Sequence, residues 1–170
     1  MPNHQIFVDL ALLKKYDRPG PRYTSYPTVP YWEEAPSAEA WVQAIGGALA
    51  ESEKIGRGAA IYIHIPFCPK LCYFCACNKV ITTDKSVSKN YLNAVYSELE
   101  MMSEYYSQNP VHQVHWGGGS PNFLTPEEMT ELHKQTLNFF PNLDKTCEVS
   151  VELDPRTTTV DQLEALKDVG

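Results

Sequence analysis

The sequence has 170 residues, of which 43% are hydrophobic and 21% are charged, and its formal net charge is −7. This composition is typical of a folded domain with one core and not of a disordered or fibrous chain, and an acidic chain is a poor general binder of nucleic acid. No stretch reaches the roughly 18 apolar residues of a membrane-spanning helix, and the N-terminus lacks the pattern of a signal peptide. We therefore expect a cytoplasmic protein.

Residues 1–57 are predicted to form an N-terminal arm followed by a helix. The segment 18–36 contains five prolines, which is too many for a helix or a central strand and predicts an extended arm. A short helix is expected from Ser37 onwards, because apolar side chains recur there at helical spacing. The side chains on this apolar face are Trp41, Val42, Ile45 and Leu49.

From residue 58 onwards a strand, a loop and a helix alternate three times. The predicted strands are AAIYIHIPF, VHQVHW and CEVSVELDP, each followed by a helical pattern. The first helix is predicted over about 87–105. Capping boxes predict that the second helix begins at Thr125 and the third at Thr159. The apolar face of the third helix would carry Leu163 and Leu166. This alternation predicts an α/β fold with a parallel sheet. Since a closed barrel takes about eight such units, we interpret 58–170 as the first three βα units of a partial (βα) barrel.

Polar motifs follow all three predicted strands at their carboxyl ends. They are a cysteine-rich loop, the glycine loop GGGS, and the pair Glu152 and Asp154. Because α/β barrels and open sheets build their sites at this end of the strands, the three motifs are expected to form one site.

The cysteine loop holds four thiols within ten residues, at Cys68, Cys72, Cys75 and Cys77. A disulfide knot is disfavoured in the reducing cytosol, and a four-cysteine zinc site usually uses two separated pairs. In a [4Fe–4S] cluster each thiolate binds a different iron, so one short loop can hold several corners. The spacing C-x₃-C-x₂-C would hold three irons and leave the fourth open.

The segment CPKLCYFC resembles the signature of radical S-adenosylmethionine (SAM) enzymes. Within these, GPRYTSYPT, YIHIPFC, FCACNK, HWGGGSP and VELDPR are similar to motifs of the oxygen-independent coproporphyrinogen III oxidases. The resemblance implies a [4Fe–4S] cluster, two SAM molecules per enzyme and a 5′-deoxyadenosyl radical. It also implies oxidative decarboxylation of two propionates of coproporphyrinogen III to vinyl groups, giving protoporphyrinogen IX in haem biosynthesis.

The resemblance also implies residue roles. The expected cluster ligands are Cys68, Cys72 and Cys75. The expected cofactor-binding residues are Tyr62, Phe74, Gly118, Gly119, Ser120 and Glu152. The candidates for catalytic roles are His64 and Cys77. The candidates for substrate binding on the arm are Arg22, Tyr23 and Tyr26.

Plainer interpretations stay open for most of these residues. The glycines could form an ordinary tight turn, the aromatic residues and His64 could be packing residues, and the arm could brace the barrel. Cys77 could be a fourth ligand, a relay or a buried thiol. As alternative functions, a haem chaperone-like paralogue and a [4Fe–4S] electron-transfer protein remain, although the latter needs no glycine loop.

The expected partners are coproporphyrinogen III and an electron donor such as a flavodoxin or ferredoxin, with no nucleic acid and no membrane span. We expect a monomer. We also expect the 170-residue segment to be inactive by itself, because further strands would complete the site.

Overall fold

The computed structural model of the chain describes residues 9–18, 31 and 35–170. These residues belong to two units, Met1–Ser37 and Ala38–Gly170. In the first unit, helix α1 (Leu10–Tyr16) was not predicted; the Asp9 side chain begins it by accepting hydrogen bonds from the first turn. Most of the predicted arm lies outside the described residues. So do the candidate substrate residues Arg22, Tyr23 and Tyr26.

The second unit contains all the predicted βα elements, the predicted helix from Ser37, and two short strands that were not predicted as separate elements. In chain order its elements are helix α2 (Ala38–Lys54), strand β1 (Ala59–Ile65), short strands β2 (Phe67–Cys68) and β3 (Val80–Ile81), helix α3 (Val87–Tyr106), strand β4 (Val111–Gly118), helix α4 (Pro126–Phe139), strand β5 (Leu143–Val151) and helix α5 (Val160–Val169). A 3₁₀ turn at Pro121–Phe123 lies between β4 and α4.

Strands β1, β4 and β5 form a parallel sheet in the order β1–β4–β5. This arrangement confirms the prediction of three βα units that make an open, partial barrel. A second small sheet pairs β2 with β3, also in parallel. Among the described residues, no helix combines the length and the apolar character needed to cross a bilayer.

The two faces of the main sheet differ in chemistry, as side-chain alternation along strands requires. One face carries buried apolar side chains that form the core with α3 and α4; examples are Ile65 on β1 and Trp116 on β4. The other face carries Tyr62, which is paired in register with His115 on β4. The polar face is therefore the one that can carry a site.

The predicted helix from Ser37 is confirmed as α2, which begins at Ala38. Its Val42, Ile45 and Leu49 pack against the core. Tyr106 at the end of α3 donates a hydrogen bond from its hydroxyl to the carbonyl of Val42, at 2.7 Å. Trp41 is the exception on the predicted apolar face, because 43% of it is exposed.

Several details of the predicted strands and helices differ from the structure. The first strand ends at Ile65 and not at Phe67, because Pro66 has no N–H for the ladder and its carbonyl instead accepts from Val80 in the second sheet, at 2.8 Å. Strand β5 begins at Leu143, four residues before the predicted start. On α5 only Leu166 packs against the core, whereas Leu163 is half exposed.

The predicted capping boxes are both confirmed. At the start of α4 the Thr125 side chain accepts from the N–H of Glu128, and the Glu128 carboxylate accepts from the N–H of Thr125. Thr159 and Gln162 make the same reciprocal pair at the start of α5. These caps fix where each helix begins, and so they set the lengths of the loops that follow β4 and β5.

Candidate active site

The cysteine loop runs from Cys68, the last residue of the short strand β2, to residue 79, just before the short strand β3. Both ends of the loop are anchored, because the carbonyl of Cys68 accepts from the N–H of Thr82 at 2.9 Å, next to the bond between Pro66 and Val80. Within the loop, the N–H of Cys75 donates to the carbonyl of Cys72 at 3.2 Å. The small parallel sheet therefore holds the loop at the carboxyl end of β1.

All four loop thiols are free, with Cys72 and Cys77 exposed and Cys68 and Cys75 partly buried. Burial raises the pKa of the Cys68 thiol, and the neighbouring thiols, first Cys75 and then Cys72 and Cys77, raise this pKa further. Thiolates this close repel one another, so a cationic centre would stabilise them together. Among the described residues, no three His, Cys, Asp or Glu side chains converge on one point as a single ion would require.

The glycine loop lies directly against the cysteine loop. Gly118 ends β4 with φ at +116°, a conformation that L side chains rarely adopt. The N–H of Gly119 donates to the carbonyl of Ile65 at 2.8 Å. A Cβ on Gly119 would lie 2.6 Å from the carbonyl oxygen of Pro66 and 2.9 Å from Sγ of Cys68. Only glycine permits this approach of the backbone to the cysteine loop.

Tyr62 and His64 lie two residues apart on β1, so both side chains are on the polar face of the sheet, where they meet. Nε2 of His64 lies 2.8 Å from the carbonyl oxygen of Asn78, and Nδ1 lies 3.0 Å from the hydroxyl of Tyr62. A carbonyl can only accept, so Nε2 carries the proton, and in the neutral ring Nδ1 accepts from Tyr62. His64 thereby ties the end of the cysteine loop to β1.

His115 connects the polar residues of all three main strands. Its ring stacks on Tyr62 with 5.7 Å between centroids, its Nδ1 lies 2.8 Å from Oγ of Ser150, and its Nε2 lies 3.7 Å from the Glu152 carboxylate. Burial, and then the negative charge of Glu152, raise the pKa of Tyr62. Glu152 itself is 63% exposed at its side chain and free to accept hydrogen bonds from a ligand.

The loop after β5 is held by Asn122, which is only 4% exposed. Its side-chain oxygen accepts from the N–H of Asp154 at 3.1 Å and from the hydroxyl of Ser120, and its side-chain nitrogen donates to Oγ1 of Thr157 at 2.8 Å. Arg156 then forms a two-pronged ion pair with Asp154, at 2.7 and 2.9 Å. Hydrogen bonds from Arg156 lower the pKa of Asp154 to about 2.

A cavity of about 640 Å³ opens between these three loops. It is lined by, among others, Cys68, Cys72, Gly119, Ser120, Glu152 and Arg156. The structure thus brings the predicted ligands Cys68 and Cys72 together with three of the predicted cofactor residues. Phe74 is not among the cavity residues and is 92% exposed. Ser120 lines the cavity, and its hydroxyl donates a hydrogen bond to the side-chain oxygen of Asn122.

The residues present fit a [4Fe–4S] cluster and SAM. Three thiols on one anchored loop are the soft donors that iron–sulfur clusters take, and each would bind a different iron, so the thiols need not converge on one point. The backbone of Gly119 lies against one of these thiols, where no side chain could stand. Glu152 offers two acceptor oxygens to hydroxyl donors at the same cavity.

Three site residues had no role in the sequence-based interpretation: His115, Asn122 and Arg156. A signal existed for His115, because it lies two residues before Gly117 and therefore on the same face of β4. Arg156 belonged to the motif VELDPR, but its partner could not be identified from spacing. For Asn122 we find no such signal, since its contacts with Asp154 and Thr157 join residues more than thirty positions apart.

A partial parallel barrel with a cysteine loop, a glycine loop and a carboxylate at its strand ends defines a class of cluster-dependent enzymes. The radical SAM superfamily matches residues 62–170. The oxygen-independent coproporphyrinogen III oxidase of Salmonella typhimurium is 40% identical over the whole chain, and that of Mannheimia haemolytica is 39% identical over 89% of it. The structure of coproporphyrinogen III oxidase from Escherichia coli covers 98% of the chain with a TM-score of 0.76 and 37% identity.

The chain belongs to the radical SAM superfamily and, within it, to the family of oxygen-independent coproporphyrinogen III oxidases. It spans 36% of the Salmonella protein and 35% of the Escherichia coli chain, but 99% of the Mannheimia sequence. The family membership confirms the resemblance identified in the sequence motifs, and it implies a [4Fe–4S] cluster and SAM as cofactors.

Proposed function

We propose that the protein takes part in the oxygen-independent oxidative decarboxylation of coproporphyrinogen III to protoporphyrinogen IX. The observation that carries this proposal is the close approach of Gly119 to Cys68 beside Glu152, at one cavity. A cluster loop alone would serve electron transfer. The backbone surface and the carboxylate beside it are what a bound organic cofactor needs.

Cys68, Cys72 and Cys75 would hold the cluster, and the backbone of Gly118 and Gly119 with Glu152 would hold SAM. When bound, these two groups supply the 5′-deoxyadenosyl radical that removes a hydrogen atom from each reacting propionate. The chain's own residues position the cofactor. His64 fixes the end of the cysteine loop, and Tyr62 and His115 form a wall beside Glu152.

The proposal also assigns roles to the residues outside the cavity and to an electron donor. Phe74, whose ring is almost fully exposed, would contact a second SAM, and Cys77 would act as a relay and not as a ligand. Arg22, Tyr23 and Tyr26 would bind the anionic, flat porphyrinogen, since a guanidinium pairs with carboxylates and aromatic rings pack on an apolar macrocycle. A flavodoxin or ferredoxin would supply electrons to a monomeric, cytoplasmic enzyme. We propose that residues 1–57 and residues 58–170 are two functional segments of the enzyme. We also propose that turnover needs further strands.

Anaerobic reconstitution with iron and sulfide tests the proposal. We expect about four irons per chain, release of 5′-deoxyadenosine from SAM, and formation of protoporphyrinogen when the full-length protein receives coproporphyrinogen III. A cluster that forms without any cleavage of SAM would favour the electron-transfer alternative. Cleavage of SAM with haem binding but without decarboxylation would favour the haem chaperone-like alternative.

A further inference from the structure

The ion pair between Asp154 and Arg156 has one fixed orientation. Nη2 and Nε of Arg156 donate to the two carboxylate oxygens at 2.7 and 2.9 Å, and the backbone N–H of Arg156 donates to Oδ1 at 3.0 Å. A two-pronged pair of this kind fixes geometry as well as charge. The guanidinium therefore cannot turn without breaking two hydrogen bonds, and the backbone N–H holds the carboxylate from a third direction.

The backbone beneath the pair is also fixed. The carbonyl of Asp154 accepts from Oγ1 of Thr158 at 2.8 Å and from the side-chain nitrogen of Asn122 at 3.3 Å. Asn122 is buried and has hydrogen-bond partners at both ends of its amide. The pair is held in place although the Arg156 side chain is 74% exposed.

Both charges of the pair lie at the cavity beside the cysteine loop. Arg156 interacts with the Cys72 thiol, which after Asp154 is the next cause that raises the pKa of the guanidinium. The Asp154 carboxylate acts on Cys68 instead, where it is one of the charges that raise the thiol's pKa. All four residues line the same cavity. Both members of the ion pair therefore border the cavity that the expected ligands Cys68 and Cys72 also line.

We propose that this ion pair sets the reduction potential of the cluster held by Cys68, Cys72 and Cys75. Reduction by a low-potential donor moves one electron, and hence one negative charge, onto the cluster and its thiolates. The guanidinium stabilises that added charge and the carboxylate opposes it. Hydrogen bonds and net charge at the thiolates are known controls of cluster potential. The inference rests on the proposed function only in requiring the cluster.

The test is a dithionite titration, followed by electron paramagnetic resonance, of the full-length protein after anaerobic reconstitution. Arg156→Gln should lower the potential, because it removes the cation and leaves the carboxylate unopposed. Asp154→Asn should raise it, because only the cation remains. We expect each variant to change the ratio of reduced to oxidised cluster at a fixed potential by about three- to tenfold, where tenfold corresponds to about 59 mV for one electron.

Two further variants separate this effect from damage to the loop. The double variant Asp154→Asn with Arg156→Gln should return to within about twofold of the parent ratio, because both charges are gone. Lys134→Gln, which removes a positive charge on α4, should leave the ratio unchanged. Since Asp154→Asn and Arg156→Gln are separate variants with opposite expected shifts, poor folding of one still leaves the other as a test. The shifts should shrink at high salt, because the pair borders solvent.

Shifts of the same sign in the two single variants, or no shift at full iron content, would overturn the inference. Such a result would leave the proposed function intact as long as SAM is still cleaved. Conversely, a parent protein that binds no iron would remove the proposed function, whatever the ion pair does. The iron content and the potential therefore distinguish the two failures.

Discussion

Asn122 and Asp154 follow different strands of the sheet, yet the side-chain amide of Asn122 bonds both backbone groups of Asp154. Its oxygen accepts from the N–H at 3.1 Å, and its nitrogen donates to the carbonyl at 3.3 Å. The same amide also contacts Ser120 of the glycine loop. One buried side chain thus fixes the spacing between two walls of the cofactor cavity.

Asn122→Ala should therefore loosen the cavity as well as the fold. Loss of the amide leaves the N–H of Asp154 without its acceptor, whereas the carbonyl of Asp154 keeps the Thr158 hydroxyl. A backbone donor left without a partner typically costs about 1–3 kcal/mol of unfolding free energy. We expect a lower thermal midpoint and weaker SAM binding, measured by calorimetry on the anaerobic protein. Asn93→Ala, on the exposed face of α3, should change the unfolding free energy by less than about 0.5 kcal/mol. Unchanged SAM affinity in Asn122→Ala would limit its role to stability.

Gly119→Ala should displace the cysteine loop. The new methyl group would lie 2.6 Å from the carbonyl oxygen of Pro66 and 2.9 Å from Sγ of Cys68. Both distances are too short for a methyl group, and the Pro66 carbonyl belongs to the backbone, so it cannot rotate away as a side chain could. We expect a lower iron content after reconstitution and loss of SAM cleavage. Gly47→Ala is the matched control, because nothing lies within 4 Å of that position in α2, and alanine favours helix by about 1 kcal/mol. Normal iron content and cleavage in Gly119→Ala would show that the contact is not critical.

Cys72→Ser and Cys77→Ser should differ, although both thiols are exposed. We expect Cys72→Ser to lose most of its iron and Cys77→Ser to keep both iron and cluster absorbance, since one iron must stay open for the cofactor. Iron and sulfide analysis of anaerobically prepared protein measures this. Equal loss of iron in the two variants would make Cys77 a fourth ligand and favour the electron carrier.

The stability of the fold should fall in acid partly because of His133 on α4. This side chain is 8% exposed and packs edge-on against Trp116, and burial lowers its pKa below the usual 6.5. The unfolded imidazole therefore binds a proton at a higher pH than the folded one. Its neutral form contributes its full stability above pH 6.5, and this contribution is lost as pH falls through the folded pKa.

His133→Gln should consequently lose less stability between pH 7 and pH 5 than the parent protein. Thermal midpoints of both proteins at these two pH values, measured without oxygen, give the comparison. An equal drop in both proteins would mean that His133 does not contribute to the acid sensitivity.

Arg22→Ala tests the predicted role of the arm. Because the proposed substrate, coproporphyrinogen III, carries four carboxylates and the chain is acidic overall, we expect a local guanidinium to offset the repulsion. We expect slower turnover of coproporphyrinogen III by the full-length protein, with SAM cleavage in the absence of substrate and iron content nearly unchanged. Equal loss of all three would identify the arm as a structural brace.

The sequence by itself determined the order and type of the βα units. Alternation on strands, helical spacing and the caps at Thr125 and Thr159 are local signals, because each depends on residues a few positions apart. For the same reason the cysteine loop, with all its ligands in one segment, could be identified without a structure. Gly118 and Gly119 were identified as part of a motif, but the sequence did not show why glycine is needed at these two positions.

Only the tertiary structure showed which residues those glycines contact and which charged residues lie at the same cavity as the thiols. Gly119 meets Cys68 across fifty residues of chain, and Asn122 reaches Asp154 across thirty-two. The place where two strands end next to each other depends on the register between β1, β4 and β5. That register depends on which face of each strand is buried, and it joins residues on strands that are far apart in the sequence.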